Sequence, residues 1–283
     1  MRSVWKIFQR YKNSPASVFL CVMVFGSALF TFGVLLYLIA HIVVQGLPAL
    51  TFSTFAWEYS SENASVMPAV FNTIIITVLA LVFAAPVGIF SAVYLVEYAE
   101  KNSKFVEAVR ITTVTLAGIP SIIYGLFGML FFVIHCGLGF SLLSGALTLS
   151  MMILPLLIRT TEEALLAVPD SYREGSFGLG AGKLRTIFKI ILPASVPGIL
   201  AGIILAIGRI VGETAALMYT AGTVAQFPHS IMNSGRSLAI HMFTLANEGL
   251  YMNQAYAAAV VLLLLVVIIN SFSYYLAKKL IRI

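Results

Sequence analysis

The chain has 283 residues, of which 60% are hydrophobic and only 10% are charged, and its mean hydropathy is +1.00. Soluble domains carry about a quarter charged residues, so this composition excludes an ordinary soluble protein and indicates an integral membrane protein. The formal net charge of +6 does not indicate a nucleic-acid-binding protein, because the basic residues stand in short segments between long apolar runs, as topology signals do.

The first two predicted spans are separated by a polar, acidic stretch. Residues 16–44 contain no formal charge and form a run too long for the apolar core of a signal peptide, so they predict a retained membrane span. Residues 46–67 are polar and contain no Lys or Arg. Residues 70–96 predict the second span, in which Pro86 is tolerated where neighbouring helices satisfy the backbone.

Spans three and four are predicted as a hairpin. Residues 111–158 contain no formal charge. At about 1.5 Å per residue this run is far longer than one crossing of a hydrocarbon core about 30 Å thick. The sequence C-G-L-G at residues 136–139 is expected to form the turn, and Pro120 and Pro155 are expected to bend the two helices.

Two further spans complete a predicted all-α membrane protein with six transmembrane helices. Span five covers residues 194–219 and span six covers residues 256–276. Every Lys and Arg except Arg209 and Arg236 lies in the N-terminal segment, in the loops after spans two and four, or at the C-terminus. The positive-inside rule therefore predicts that both termini are cytoplasmic.

The loop of residues 159–193 carries the most specific short motif. A Glu-Gly-Ser triplet is followed by three residues, a glycine, nine more residues and the sequence I-I-L-P. The spacing resembles the signature of ABC-importer permeases, E-A-A, three residues, G, nine residues, I-x-L-P, with Gly and Ser in place of two alanines. The positions that match are Glu174, Gly175, Ser176, Gly180, Ile190, Ile191, Leu192 and Pro193.

The same loop has the local signals of a short docking helix. Pro169 suits the first helical position, Asp170 adds an acid to the first turn, and Gly180 suits the break after the last turn. A second short helix over residues 183–191 is expected to lead to Pro193 at the start of span five.

Span five contains a predicted charge pair within the membrane. Between Lys189 and Arg236 the only formal charges are Arg209 and Glu213, which share one face if the helix continues through both. A charge there costs at least ~2.5 kcal/mol, which makes the pair a functional-site hypothesis. A guanidinium matches oxyanions such as phosphate, and an adjacent carboxylate is expected to weaken retention of the anion. The alternatives are a self-neutralising ion pair and an arginine that extends to the interface.

Nothing in the sequence predicts an enzyme. A nucleotide-binding P-loop needs G-x-x-x-x-G-K-[ST], but Phe177 stands five residues before Gly182, and Leu184 follows Lys183. Neither the two cysteines nor the four histidines have the spacing of a metal site. We therefore expect no cofactor on this chain, and ATP and Mg²⁺ only on a partner.

Longer motifs are similar to the PstA-type permease family of bacterial phosphate ABC importers. The similarity runs from about residue 68 to the C-terminus, whereas residues 1–67 only fit that family's first span and outer loop. The segments that carry it are I-P-S-I-I-Y-G-L-F-G (119–128), I-R-T-T-E-E-A-L (158–165), V-P-D-S-Y-R-E (168–174) and G-R-I-V-G-E-T-A (208–215).

This resemblance implies a type I ABC importer permease fold, with a core over residues 68–283 preceded by residues 1–67. It implies a PstC-type sister subunit, two ATPase subunits, an external phosphate-binding protein and the inner membrane of a prokaryote. Arg209 is the implied anion contact, in a path shared with Glu213. The residues implied in coupling to the ATPase are Glu174, Gly175, Gly180, Ile190, Leu192 and Pro193.

Four alternatives stay open at this point. The chain could be the sister PstC-type subunit, although R-T-T-E-E-A-L and V-P-D-S-Y-R-E favour the PstA type. It could carry another oxyanion such as sulfate or molybdate. An ion-coupled secondary transporter commonly shows internal repeats and several intramembrane acids, which this sequence lacks. A non-transporting scaffold leaves the intramembrane charges unexplained.

Overall fold

The computed structural model describes residues 15–100, 103–249 and 251–281, and no strand occurs in these ranges. The basic N-terminal segment, Lys101 and Arg282, which entered the topology prediction, lie outside the described residues. The α-helices are α1 (Pro15–Gly46), α2 (Met67–Val93), α3 (Lys104–Ala117), α4 (Ser121–Gly128), α5 (Leu142–Leu166), α6 (Asp170–Gly178), α7 (Lys183–Thr186), α8 (Leu192–Val211), α9 (Ala215–Met218), α10 (Leu238–Glu248) and α11 (Met252–Ile281).

Five helical segments are long and apolar enough to cross a membrane, and the bent pair α3–α4 makes a sixth if it is counted as one span. The prediction of an all-helical chain with six apolar segments is confirmed. The side of the membrane on which the termini lie stays a prediction. The five unbent segments are Ala16–Ala49, Met67–Tyr98, Leu142–Leu166, Lys183–Val211 and Met252–Tyr275.

Helix α5 lies at the centre of the bundle, between α2 and α8. In its most apolar 18-residue window, 67% of the residues are buried, a larger share than in any other span of the described chain. Leu149, Ile153 and Leu157 on α5 are fully buried and belong to one core cluster with Ile76 on α2 and Ala206 on α8. This core fixes the relative positions of the three helices.

Helix α1 stands apart from this core. None of its apolar window is buried within the chain. Only its last turns pack closely, where Gly46 lies so near α11 that a Cβ would overlap the carbonyl oxygen of Tyr256. The predicted first span is therefore a peripheral helix anchored at one end.

The third span is broken, and not merely bent, near Pro120. Helices α3 and α4 meet at an angle of 100°. Proline lacks the backbone N–H and disfavours helical geometry in the residue before it, which explains a break here. The second arm, Ser121–His135, is about 22 Å long by helix geometry and does not cross the core alone.

The predicted turn of the hairpin is confirmed. Gly137 and Gly139 have φ angles of +67° and +64°, which only glycine adopts without strain, and they separate the third span from α5. Pro155 lies within the uninterrupted helix α5, so the chain is not broken there, and the expected bend at this residue stays a prediction.

The fifth span differs from its prediction at both ends. The predicted helix over residues 183–191 is present, but it runs without a break into span five, so that Lys183–Val211 is one continuous helical rod of 29 residues. A π-turn at Ile187–Ile191 comes just before Pro193 and lets the helix pass a residue that cannot donate a backbone hydrogen bond. The rod ends at Val211, eight residues before the predicted end at residue 219.

The long rod separates two ends of the molecule by about 43 Å. We call the end that carries α6 the loop end. We call the opposite end, where α8 finishes, the far end. The start of α2 also lies at the far end, because Thr73 in its second turn accepts a hydrogen bond from the backbone N–H of Leu238 at the start of α10.

Candidate functional site

Helix α6 is the docking helix predicted from the loop motif. Its C-terminus closes as predicted, because Gly180 has a φ of +79° and the N–H of Ala181 donates to the carbonyl of Ser176 at 3.1 Å. Its start is off by one residue from the prediction. Pro169 has an extended ψ of 140° and is the N-cap, so Asp170 is the first helical residue.

One face of α6 and the turn after it are open. Glu174 and Gly175 are exposed, and nothing lies within 4 Å of the position that a Cβ on Gly175 would take. Three apolar side chains are exposed beside them: Tyr172 at 51%, Phe177 at 48% and Leu179 at 91%. A group of exposed apolar side chains next to an exposed glycine backbone is typical of a contact surface for another protein.

The I-I-L-P end of the motif does not belong to this open surface. Ile191 is fully buried, Ile190 and Leu192 are partly buried, and Pro193 is exposed on the side of the rod. The two partly buried residues pack against a cluster that joins the loop ends of α2, α5 and the long rod. Its members are Ala92, Val93, Leu165, Val168, Ile187 and Ile191.

The sequence analysis missed the best-connected side chain of the loop, Arg173. Its Nε and Nη2 donate to Oε1 of Glu97 at 3.1 and 2.8 Å. Its Nη2 also donates to the carbonyl of Leu165, and its Nη1 donates to the carbonyl of Val168 and to Oδ1 of Asp170. A guanidinium has five N–H donors, so all of them are used.

This contact is largely enclosed. The side chain of Arg173 is 16% exposed and that of Glu97 is 9% exposed. The two residues are 76 positions apart, which is why spacing rules for a single helix give no sign of the pair.

A second contact ties α6 to the long rod. Ser176 is 5% exposed and its hydroxyl is 2.8 Å from that of Thr186, which is 1% exposed. Nearby, the Lys183 ammonium lies 4.7 Å from the centre of the Tyr98 ring, a cation–π contact with the loop end of α2. The serine that replaces an alanine of the family signature therefore adds a buried hydrogen bond.

At the far end of the rod, Arg209 lies in the last turn of α8 and is partly exposed. No described residue makes a hydrogen bond or ion pair with its guanidinium. Tyr124 on α4 lies within electrostatic range of the charge. The C-terminus of a helix favours a nearby cation, which offsets part of the cost of this position.

Glu213 is not paired with Arg209, so the predicted shared face is wrong. The helix ends at Val211, and four-residue spacing aligns two side chains only where the helix continues. The carboxylate of Glu213 instead accepts the N–H of Ala216 at 3.1 Å and caps the short helix α9. Arg209 therefore stands without a counter-charge in the described chain.

Two further arginines between the spans are paired with acids. Arg110 and Glu162 are 2.6 Å apart, and Arg159 and Glu163 are 3.0 Å apart. These four residues line a cleft of about 330 Å³ between α3 and α5. Among the described residues no group of three or more His, Cys, Asp or Glu side chains is placed to hold a metal ion.

The far end also contains a buried arginine. Arg236 is 5% exposed, its guanidinium carbon lies 4.6 Å from the centre of the Tyr59 ring, and its Nε and Nη2 have no partner in the described chain. Next to it, the fully buried His241 donates from Nε2 to the carbonyl of Ala64. Burial and the charge of Arg236 lower the pKa of His241 to about 3, so this imidazole is neutral near pH 7.

Comparisons with known proteins agree with the motifs. The family model described as "Binding-protein-dependent transport system inner membrane component" matches residues 84–282. Over 233 residues the chain is 36% identical to the phosphate transport system permease protein PstA 1 of Mycobacterium tuberculosis, covering 79% of this chain and 71% of that protein. Over 232 residues it is 31% identical to the probable ABC transporter permease protein YqgI of Bacillus subtilis, covering 77% and 79%.

Two solved structures share the fold. The bacterial alginate ABC transporter, in complex with its pentasaccharide-bound periplasmic protein, contains a chain that aligns with a TM-score of 0.71 at 16% identity and covers 98% of both chains. The MetNI methionine ABC transporter aligns with a TM-score of 0.59 at 20% identity, covering 76% of this chain and 94% of that one. The predicted type I importer permease fold is confirmed.

Proposed function

This chain belongs to the family of binding-protein-dependent transport system inner membrane components, and we propose that it moves inorganic phosphate through such an importer. Membership makes it a multi-pass ABC importer permease subunit, a transport component and not an enzyme. The rest of the proposal is a PstC-type sister subunit, two ATPase subunits that bind ATP and Mg²⁺, an external phosphate-binding protein and an inner membrane.

The observation that carries the phosphate assignment is the free guanidinium of Arg209. A permanent charge in a membrane-spanning helix is costly unless it faces protein, water or a ligand. No described residue compensates this one, and its planar fork of donors matches the oxygens of phosphate. The relatives named as phosphate transport permeases support the same substrate.

The loop end supplies the second part of the proposal. We place it on the cytoplasmic side, where the exposed residues Glu174, Tyr172 and Leu179 form the surface that meets the ATPase. Closure of the ATPases then moves α6, and α6 is joined at Thr186 to the rod that carries Arg209 about 35 Å further along. Ile190 and Leu192 act in this scheme as packing residues of the joint.

Phosphate uptake by the complete complex in liposomes, with ATP inside and binding protein outside, tests the proposal. Arg209→Met is expected to reduce uptake to the level seen without ATP, while all subunits still purify together. Arg209→Lys keeps the charge but loses the planar fork, and is expected to retain intermediate uptake. Gly208→Ala is the matched control, because nothing lies within 4 Å of its new methyl group.

Competing anions separate the alternatives in the same assay. Sulfate and molybdate are expected to leave phosphate uptake unchanged at equal concentration. Preferential uptake of either anion would mean that this anion, and not phosphate, is the substrate. Uptake driven by an ion gradient without ATPase subunits would replace the importer mechanism by an ion-coupled one. Normal phosphate uptake by Arg209→Met would remove Arg209 from the substrate path.

A further inference from the structure

We propose that Arg173 is a positioning residue that clamps the docking helix to the loop end of span two, so that α6, α2 and α5 move there as one body. The inference rests on the proposed function and deepens it, because it specifies which spans the ATPase drives directly. The side chain of Arg173 is largely enclosed, and it acts through its contact with Glu97.

The clamp joins three elements at one guanidinium. Glu97 belongs to the π-turn Tyr94–Tyr98 that ends span two, and it accepts from both Nε and Nη2. The carbonyls of Leu165 and Val168 lie at the end of α5, where a helix leaves its last carbonyls without partners. Asp170 in the first turn of α6 takes the remaining donor.

The geometry gives this joint little freedom. All five donors are used, and both side chains of the ion pair are largely enclosed, so a change in the angle between α6 and span two breaks both hydrogen bonds to Glu97 together. The π-turn contributes, because it holds one more residue than an α-turn and so rotates the residues after Val93 about the helix axis. We infer that this rotation brings the Glu97 side chain to the side of span two that faces Arg173 on α6.

The tie from α6 to the long rod is weaker by comparison. Its one hydrogen bond among the described residues is the hydroxyl contact between Ser176 and Thr186, and the chain between them passes through Gly180 and Gly182. The direct contact of α6 is therefore stronger with span two and α5 than with the Arg209 rod, which packs in turn against those two spans through Ile187 and Ile191.

Distances between spin labels test the rigid joint without reference to the transported substrate. The free cysteines Cys21 and Cys136 are first replaced by alanine, and labels are placed at the exposed positions Ser171 on α6 and Tyr94 on span two. In the complete complex we expect one narrow distance distribution, the same without nucleotide and with ATP bound. In Glu97→Ala we expect a broader distribution that changes with ATP.

The second readout is the number of phosphate ions imported per ATP hydrolysed. Mutations along a coupling route change coupling by roughly 2- to 30-fold, and we expect Glu97→Ala to lower this ratio within that range while the ATPase stays bound. Glu97→Gln keeps an oxygen acceptor and should lie between wild type and alanine. Glu100→Ala removes an exposed acid from the same loop and should change neither readout.

Two results would overturn the clamp. One is a label distance that changes with ATP in the wild-type complex. The other is an unchanged number of phosphate ions imported per ATP in Glu97→Ala, whether or not the distances broaden. A contact that only stabilises the fold and plays no part in coupling predicts that outcome. Failure of the phosphate assignment is distinguishable, because binding-protein-stimulated ATP hydrolysis and normal label distances would then occur in a wild-type complex that imports no phosphate.

Discussion

The loop end and the far end each contain a prominent arginine, and the two are built in opposite ways. Arg173 uses all five N–H donors within the chain, and its pair with Glu97 is largely enclosed. Arg209 has no hydrogen-bond or ion-pair partner among the described residues and is partly exposed. The first therefore holds the fold in position, whereas the second is the side chain that we propose contacts phosphate.

Local backbone structure produces this contrast. Arg173 follows the end of α5, whose terminal carbonyls need donors, so the polypeptide surrounds its guanidinium with acceptors. Arg209 precedes a break at Gly212, after which Glu213 turns to cap α9 instead of pairing with it. The backbone around Arg173 thus supplies acceptors for its guanidinium, whereas the backbone after Arg209 leaves that guanidinium without a partner among the described residues.

The largest expected effect comes from truncating both arginines in parallel. Arg173→Met should lower the free energy of unfolding by about 3–5 kcal/mol, because it leaves Glu97 enclosed and unpaired. Arg209→Met should leave it unchanged or raise it, because an uncompensated charge is removed. Unfolding of the purified variants in detergent measures both. Equal losses of stability for the two variants would contradict the distinction between a structural role for Arg173 and a ligand-binding role for Arg209.

The sequence was sufficient for the spans but not for the contacts between them. Apolar length predicted six helical segments, and glycine predicted the turn near Gly137, because both are local properties. The Arg209–Glu213 pair was wrong because four-residue spacing assumes that the helix continues. The Arg173–Glu97 pair was missed because it joins residues 76 positions apart through the packing of three helices.

Acid should weaken the far end through His241. Its pKa in the folded protein is about 3, below its ordinary value near 6.5, so the unfolded chain binds the extra proton between these values. The contribution of the neutral imidazole to the free energy of unfolding is therefore expected to be fully present above about pH 6.5. It is expected to fall by roughly 2–3 kcal/mol between pH 7.5 and pH 4.5. Unfolding measured over this range in wild type and His241→Gln isolates the contribution.

His229 provides the control for this titration. It is exposed in the same far-end segment, so His229→Gln should retain the wild-type pH dependence. A His241→Gln variant that loses stability in acid as steeply as wild type would show that other groups, and not this buried imidazole, govern the response.

The smallest expected effect concerns the hydroxyl tie at the loop end. Ser176→Ala restores the alanine of the family signature and leaves the buried hydroxyl of Thr186 with the Gly182 carbonyl as its remaining partner. We expect a loss of about 1 kcal/mol in unfolding free energy, and the same loss for Thr186→Val. Because the two hydroxyls share one bond, the double variant should lose less than the sum of the single variants. Strict additivity would mean that the two hydroxyls act independently, so that no hydrogen bond between them ties α6 to the Arg209 rod.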